Sequence, residues 1–263
     1  ALKKVVGAAV NSVQNDRSSV RRATQTITRA LTDPFGGDSR PFGGGQPPIL
    51  RHQHGLPEDL FPYAAHLLCE RVLERLLDDT FDRKRDAWGL AALVAALTSK
   101  VPRLRRVFQG YLADASPAAV ATPDDAEHAE RVASFTAALV CLGDNDAAFG
   151  GLAAAWTWLA RYANNVSRHR DPLAVLPALV AFLDNSAFAL ASAFHVHFHA
   201  LLATLLAWFQ RRAASFHGAA AVKLKDFLDL ASSSPPRGGA GGTAAVVCVP
   251  PPGLQAYLAS SSS

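Results

Sequence analysis

"AFHVHFHALLATLLAWFQRRAASF" (193–216) decides the fold class, because its first half reads two ways. His195, His197 and His199 alternate with Val196 and Phe198, and on a β-strand all three imidazoles would share one face. On an α-helix only the i, i+4 pair His195 and His199 would do so, with His197 turned away. The continuation settles the choice. Leucines recur at helical spacing through Gln210, so the segment is predicted to be a helix whose start carries the histidines. A helix leaves at most a two-histidine site, and no H-E-x-x-H strengthens it, so no metal is expected.

Helical periodicity extends outward in both directions. Segments 2–14, 17–32, 56–80, 86–99, 102–113, 124–142, 150–164, 172–183, 187–216 and 219–231 are all expected to be helical. Breakers separate them: Pro102, "ASPAAVATPDD" (115–125), "GDND" (143–146) and "SRHRDP" (167–172). Asp124 and Asp125 suit a helix start, where carboxylates meet the positive end of the dipole. No strand series appears. The fold class is therefore all-α, an antiparallel helical stack, either a bundle or an irregular α-solenoid without a sharp repeat. The Gly/Pro-rich stretch 33–49 reads as a loop, and 232–263 as a low-complexity tail without regular structure.

Composition fits this picture. The 263-residue chain is 49% hydrophobic, dominated by Ala and Leu with sparse β-branched residues. A formal charge of +4 permits a polyanionic partner without demanding one. Cys69, Cys141 and Cys248 are widely spaced and form no C-x-x-C pair, which argues against a disulfide framework or a thiolate zinc site. The opening ALKKVVGAAV lacks the apolar core of a signal peptide, and a chain that begins at Ala1 reads as a fragment. The longest apolar run, Pro172 to Leu183, is too short to span a bilayer, so no membrane insertion is expected and the chain reads as soluble and intracellular.

Active-site signatures are missing. Neither G-x-x-x-x-G-K-[ST], nor G-x-G-x-x-G between strand and helix, nor G-x-S-x-G occurs. Asp144 with Asp146 and Asp78 with Asp79 could pair as catalytic carboxylates, but a turn and a charged helix end are where solvated carboxylates ordinarily stand. Trp156, Trp158, Tyr162 and Trp208 are expected to pack the core. Basic residues are more informative. Lys3, Lys4, Arg21 and Arg22 charge the first two helices, Arg71 and Arg75 lie one turn apart, and Arg103, Arg105, Arg106, Arg168 and Arg170 follow. Such residues fit solvated helix faces, and they also fit a convergence of guanidinium groups on a polyphosphate or nucleic-acid backbone.

Three segments carry a family resemblance. "GGLAAAWTWLARYANN" (150–165), with Trp156, Trp158, Leu159 and Asn164, resembles the tryptophan helix of the C-terminal domain of the Gle family, the mRNA-export mediators of the nuclear pore. "VKLKDFLDL" (222–230) is similar to that domain's closing helix, and "WGLAALVAALTSKVPRLRRVFQGYLADASP" (88–117) resembles one of its helix pairs. Order and separation agree across roughly residues 1–231. The resemblance implies a HEAT-like fold similar to the middle domain of translation-initiation scaffolds (MIF4G-like), and a non-enzymatic role at the cytoplasmic face of the pore. Family members bind a DEAD-box RNA helicase and stimulate its ATPase cycle; an FG-nucleoporin binds the same domain, and translation initiation and termination factors are further partners. Inositol hexakisphosphate commonly tethers helicase and activator. Carried over by position, the resemblance places the inositol phosphate on Lys4, Arg22, Arg71 and Arg75, with Lys3 and Arg21 close alternatives in register. The family's Lys-Lys pair falls on Ala113 and Asp114, so that part of the pocket is missing, and a carboxylate there repels phosphate. The alternative reading is an RNA- or translation-factor-binding α-solenoid scaffold without helicase activation, whose signature would be RNA binding with a steep salt slope.

Overall fold

The computed structural model describes residues 2–32, 60–114, 126–142, 149–166, 173–212, 218–233 and 250–260. The 33–49 loop, Asp144, Asp146, Arg168, Arg170 and Cys248 lie outside the described residues. The described residues are helical, with no strand among them. They form α1 (Leu2–Asn11), α2 (Arg17–Thr32), α3 (Phe61–Leu77), α4 (Asp86–Lys100), α5 (Leu104–Asp114), α6 (Ala126–Leu142), α7 (Gly151–Val166), α8 (Leu176–Arg212), α9 (Ala219–Ser233) and α10 (Pro252–Ala259). The all-α expectation holds.

Neighbours in space alternate along the chain. α2 packs on α4, α4 on α6, and α6 on α8, while α1 packs on α3 and α3 on α5. α4 is the middle of the first row. Its sequence DAWGLAALVAALTSK is apolar on nearly every face, and Trp88, Leu90, Leu93, Val94 and Leu97 are all buried. Gly89 lets the α1–α2 turn lie directly on α4: a Cβ there would fall 2.4 Å from the carbonyl oxygen of Gln14. That turn ends in a local cap. Asp16, just before α2, accepts from the Ser19 amide at 2.8 Å and the Ser18 hydroxyl at 2.6 Å. These donors hold its carboxyl at about 2.

A buried polar chain crosses the second half of the core. Trp88 Nε1 donates to Asn185 Oδ1 at 2.9 Å, and Asn185 Nδ2 donates to Ser134 Oγ at 3.0 Å. α4, α6 and α8 are thereby tied through groups whose hydrogen bonds replace water. Trp158 stacks on Phe182 with ring centroids 3.9 Å apart, and the Tyr162 hydroxyl donates to the Val175 carbonyl at 2.9 Å. Tyr162 is buried, and Trp156, Trp158 and Trp208 pack half-buried against the core, as their spacing predicts.

α8 departs from expectation in three ways. The break predicted between 183 and 187 does not exist, because its polar residues find partners within the fold. Asp184 accepts from Lys223 of α9 at 2.9 Å, Asn185 joins the Trp88 chain, and Ser186 Oγ donates to the Phe182 carbonyl at 2.8 Å. The real interruption is at His195, whose φ of 37° and ψ of −109° are non-helical. The histidine stretch thus stands where one helical run ends and the next begins. Val196, which alternates with Phe198 in the histidine stretch, is 68% exposed, whereas Phe198 is fully buried. Both follow the interruption and lie within helix, where residues two apart are turned by about 200°, so one faces the core and the other solvent. Finally, Leu176–Arg211 is long and apolar enough by length and composition to cross a membrane. The expectation that no segment is long enough rested on the shorter run Pro172–Leu183 and does not survive the joining of two predicted helices. Its first half faces the core through Leu179, Phe182, Leu183 and Leu190.

Residues 252–259, inside the stretch whose composition argued against regular structure, form α10 and pack on α4.

Candidate polyanion-binding edge

The four basic residues assigned to a polyphosphate divide among three environments. α1 packs on α3, and Gly7 faces Arg71 there: a Cβ at Gly7 would meet the Arg71 Cδ at 3.6 Å. The aliphatic stem of Arg71 therefore runs over α1, in the manner of long cationic side chains on apolar surface. Lys3 and Lys4 precede Gly7 by four and three positions and share its face of the helix. Both are exposed. Arg71 donates through Nη1 to Glu74, while its Nε is buried without a hydrogen-bond partner.

Arg75 is committed elsewhere. Its Nη1 donates to Thr80 Oγ1 at 3.1 Å and lies 3.5 Å from Asp78 Oδ2, while Nη2 lies 3.6 Å from Asp86 Oδ2. The guanidinium also sits over the Phe81 ring, 5.9 Å from its centroid. Arg75 thus joins the end of α3 to the start of α4. The Thr80 hydroxyl and amide hold the Asp78 carboxyl below its ordinary range, with Arg75 and Arg131 adding to the effect. Two carboxylates beside one guanidinium make this corner unsuited to phosphate.

Arg22 occupies a third place, exposed on α2 with its Nη1 donating to Ser18 at 3.4 Å. No described contact brings it to Arg71. The side chains of Ala113 and Asp114, the last residues of α5, lie outside the described residues. Of the four assigned residues, then, Lys4 and Arg71 stand at one helix–helix edge, Arg75 faces an acidic corner, and Arg22 is apart.

Arg131, which sequence reasoning missed, is the most enclosed arginine described here, at 8% exposure. It donates through Nη1 to the carbonyls of Leu76 at 3.3 Å and Asp78 at 2.8 Å, and through Nη2 to Glu127. It caps the C-terminus of α3 from α6, where a cation meets unpaired carbonyls and the negative end of the dipole. Only the tertiary packing of α6 on α3 creates this role, so nothing local in "EHAERVASF" signals it. Beside it opens a cleft of about 420 Å³ lined by Asp79, Asp82, Glu127 and Glu130, with Arg83 paired to Glu130. Its carboxylates outnumber its guanidinium groups, so it does not extend the basic edge.

Two cysteines and the metal-ligating residue types remain to be placed among the described residues. Burial pushes the Cys69 thiol up to about 12, with Glu70 adding to it, and burial pushes Cys141 up to about 12, so neither offers a thiolate near neutrality. Among the described residues no three His, Cys, Asp or Glu side chains are grouped to hold a metal ion. No family model matches the chain, and no curated protein matches it.

Proposed function

We propose that this chain is a non-enzymatic mRNA-export mediator that binds and stimulates a DEAD-box RNA helicase at the cytoplasmic face of the nuclear pore, with an FG-nucleoporin as a second partner. The observation that carries it is the ordered resemblance of 88–117, 150–165 and 222–230 to the Gle-family domain. The alternating packing of α2, α4, α6 and α8 supports the HEAT-like, MIF4G-like stack that this reading requires. An activator without catalytic residues accelerates a two-lobed helicase by binding one arrangement of its lobes more tightly than the others. Measuring ATP turnover by the helicase and RNA, with and without the chain, tests this, and an unchanged rate overturns it.

Inositol hexakisphosphate belongs to the same proposal only through the α1–α3 edge. Arg71 lies against Gly7 of α1, and exposed Lys3 and Lys4 fall on that same helix face by their spacing, which supports this edge as the place for the phosphate. Calorimetry at low ionic strength tests the tether, and the absence of binding removes it without touching helicase stimulation.

A further inference from the structure

α10 lies far along the chain from everything it touches. Its lead-in Pro250–Pro251–Pro252 presets an extended approach, and Pro252 begins the helix where a missing N–H costs nothing. Gly253 and Leu254 are buried and Tyr257 and Ser260 half-buried, whereas Gln255, Ala256 and Leu258 face solvent. One stripe of a short helix is therefore seated.

Its seat is formed by the α1–α2 turn and the start of α4. Asn15, itself 8% exposed, donates through Nδ2 to the Gly253 carbonyl at 2.8 Å, across 238 positions of sequence. At the other end the Arg17 amide donates to Ser260 Oγ at 3.0 Å, and the Arg17 guanidinium sits over the Tyr257 ring at 5.7 Å. That amide opens α2, where N–H groups lack intrahelical partners. The fit is tight enough to specify glycine: a Cβ at position 253 would fall 2.1 Å from the Lys84 carbonyl oxygen and 2.6 Å from Trp88 Cδ1. Yet the contact is small. Leu258 remains 44% exposed, and Asn15 Oδ1 is buried with no hydrogen-bond partner. The resident helix thus leaves unused an acceptor that a competing segment could satisfy.

We propose that this seat is a peptide-docking groove and that Pro250–Ser260 is its occupant in cis, holding it closed to a partner segment of the same chemistry. That partner is a short helix with a Pro-Gly-Leu lead and an aromatic residue one turn on, carrying a donor for Asn15 Oδ1. The tether makes the resident segment a high-concentration competitor, so a partner displaces it by mass action.

Anisotropy of a labelled peptide of residues 249–263, titrated with the full chain and with full-length Gly253→Ala, tests this. The peptide binds the Gly253→Ala chain saturably and the wild-type chain about tenfold or more weaker, because its groove is filled. A peptide carrying the same Gly→Ala change binds neither. Hydrogen exchange on the Gly253→Ala chain shows protection lost over 252–259 and kept in α6 and α8. Leu254→Asp, a change on the strap alone, reproduces these results. Equal binding to both chains, binding to neither, or retained protection over 252–259 overturns the proposal. Loss of α6 and α8 protection in both variants overturns it as well, because a detachable strap leaves the rest of the fold standing.

Discussion

The indole N–H of Trp88 donates to Asn185 Oδ1 at 2.9 Å inside the core, joining α4 to a position of α8 that local sequence reads as a helix break. Asn185 in turn donates to Ser134, so one side chain satisfies partners on two helices. Asn185→Leu is expected to leave the Trp88 donor buried and unpaired, at a cost of about 1–3 kcal/mol. In a domain of this size each kcal/mol lowers Tm by about 2–4 °C, and thermal denaturation followed by helical circular dichroism checks it. An unchanged Tm would show the network to be replaceable by apolar packing.

Gly89 gives a sharper test of helix contact. The Gln14 carbonyl would lie 2.4 Å from a Cβ at this position, and neither atom can move without shifting backbone. Gly89→Ala gains helix propensity within α4, yet the clash is expected to dominate, with a net loss of about 1–3 kcal/mol in urea denaturation. Stabilisation instead would mean that the α1–α2 turn does not press on α4.

Asp16 supplies a pH signature. Its carboxyl falls from an ordinary 3.8 to about 2 because the Ser18 and Ser19 donors favour the charged form. A lowered folded-state pKa stabilises fully above the unfolded value and loses that contribution as pH drops through the folded one. The contribution therefore fades between about pH 4 and pH 2. Asp16→Asn retains a capping acceptor that does not titrate, so its urea midpoint is expected to fall less than that of the parent across this window. Parallel acid limbs for the two proteins would contradict the assignment.

Arg71 and Arg75, one turn apart, are expected to respond differently to substitution. Lys4→Ala and Arg71→Ala each weaken inositol hexakisphosphate binding by about 1 kcal/mol, which calorimetry at low salt reads directly. Arg75→Ala leaves that affinity nearly unchanged and lowers the unfolding midpoint, because its partners are Thr80, Asp78 and Asp86. Equal loss of affinity in both arginine variants would place Arg75 in the site.

The helical class was legible because leucine spacing and tryptophan placement are local signals, and α4 and α7 formed where they pointed. Polar triplets misled where tertiary partners absorbed them. Asp184, Asn185 and Ser186 look like a break until Lys223 and Trp88 are brought against them. α10 was hidden by composition, although Pro252 at its start and the Gly253, Leu254 and Tyr257 stripe follow ordinary helix rules. Of the basic site, the pairing of Lys4's helix with Arg71 depends on the tertiary packing of α1 on α3, which brings Arg71 against Gly7 and has no local signal. Arg75 looked equivalent to Arg71 because the carboxylates that engage it, Asp78 and Asp86, come from a helix end and the following helix.

Helicase stimulation is most directly tested by steady-state ATP turnover of the mRNA-export DEAD-box helicase at saturating RNA, titrated with the full chain. The account predicts a saturable, several-fold rise in turnover, retained when Arg75 is replaced by alanine under conditions where that variant is folded. Turnover that stays at the helicase-plus-RNA rate across the titration would contradict it.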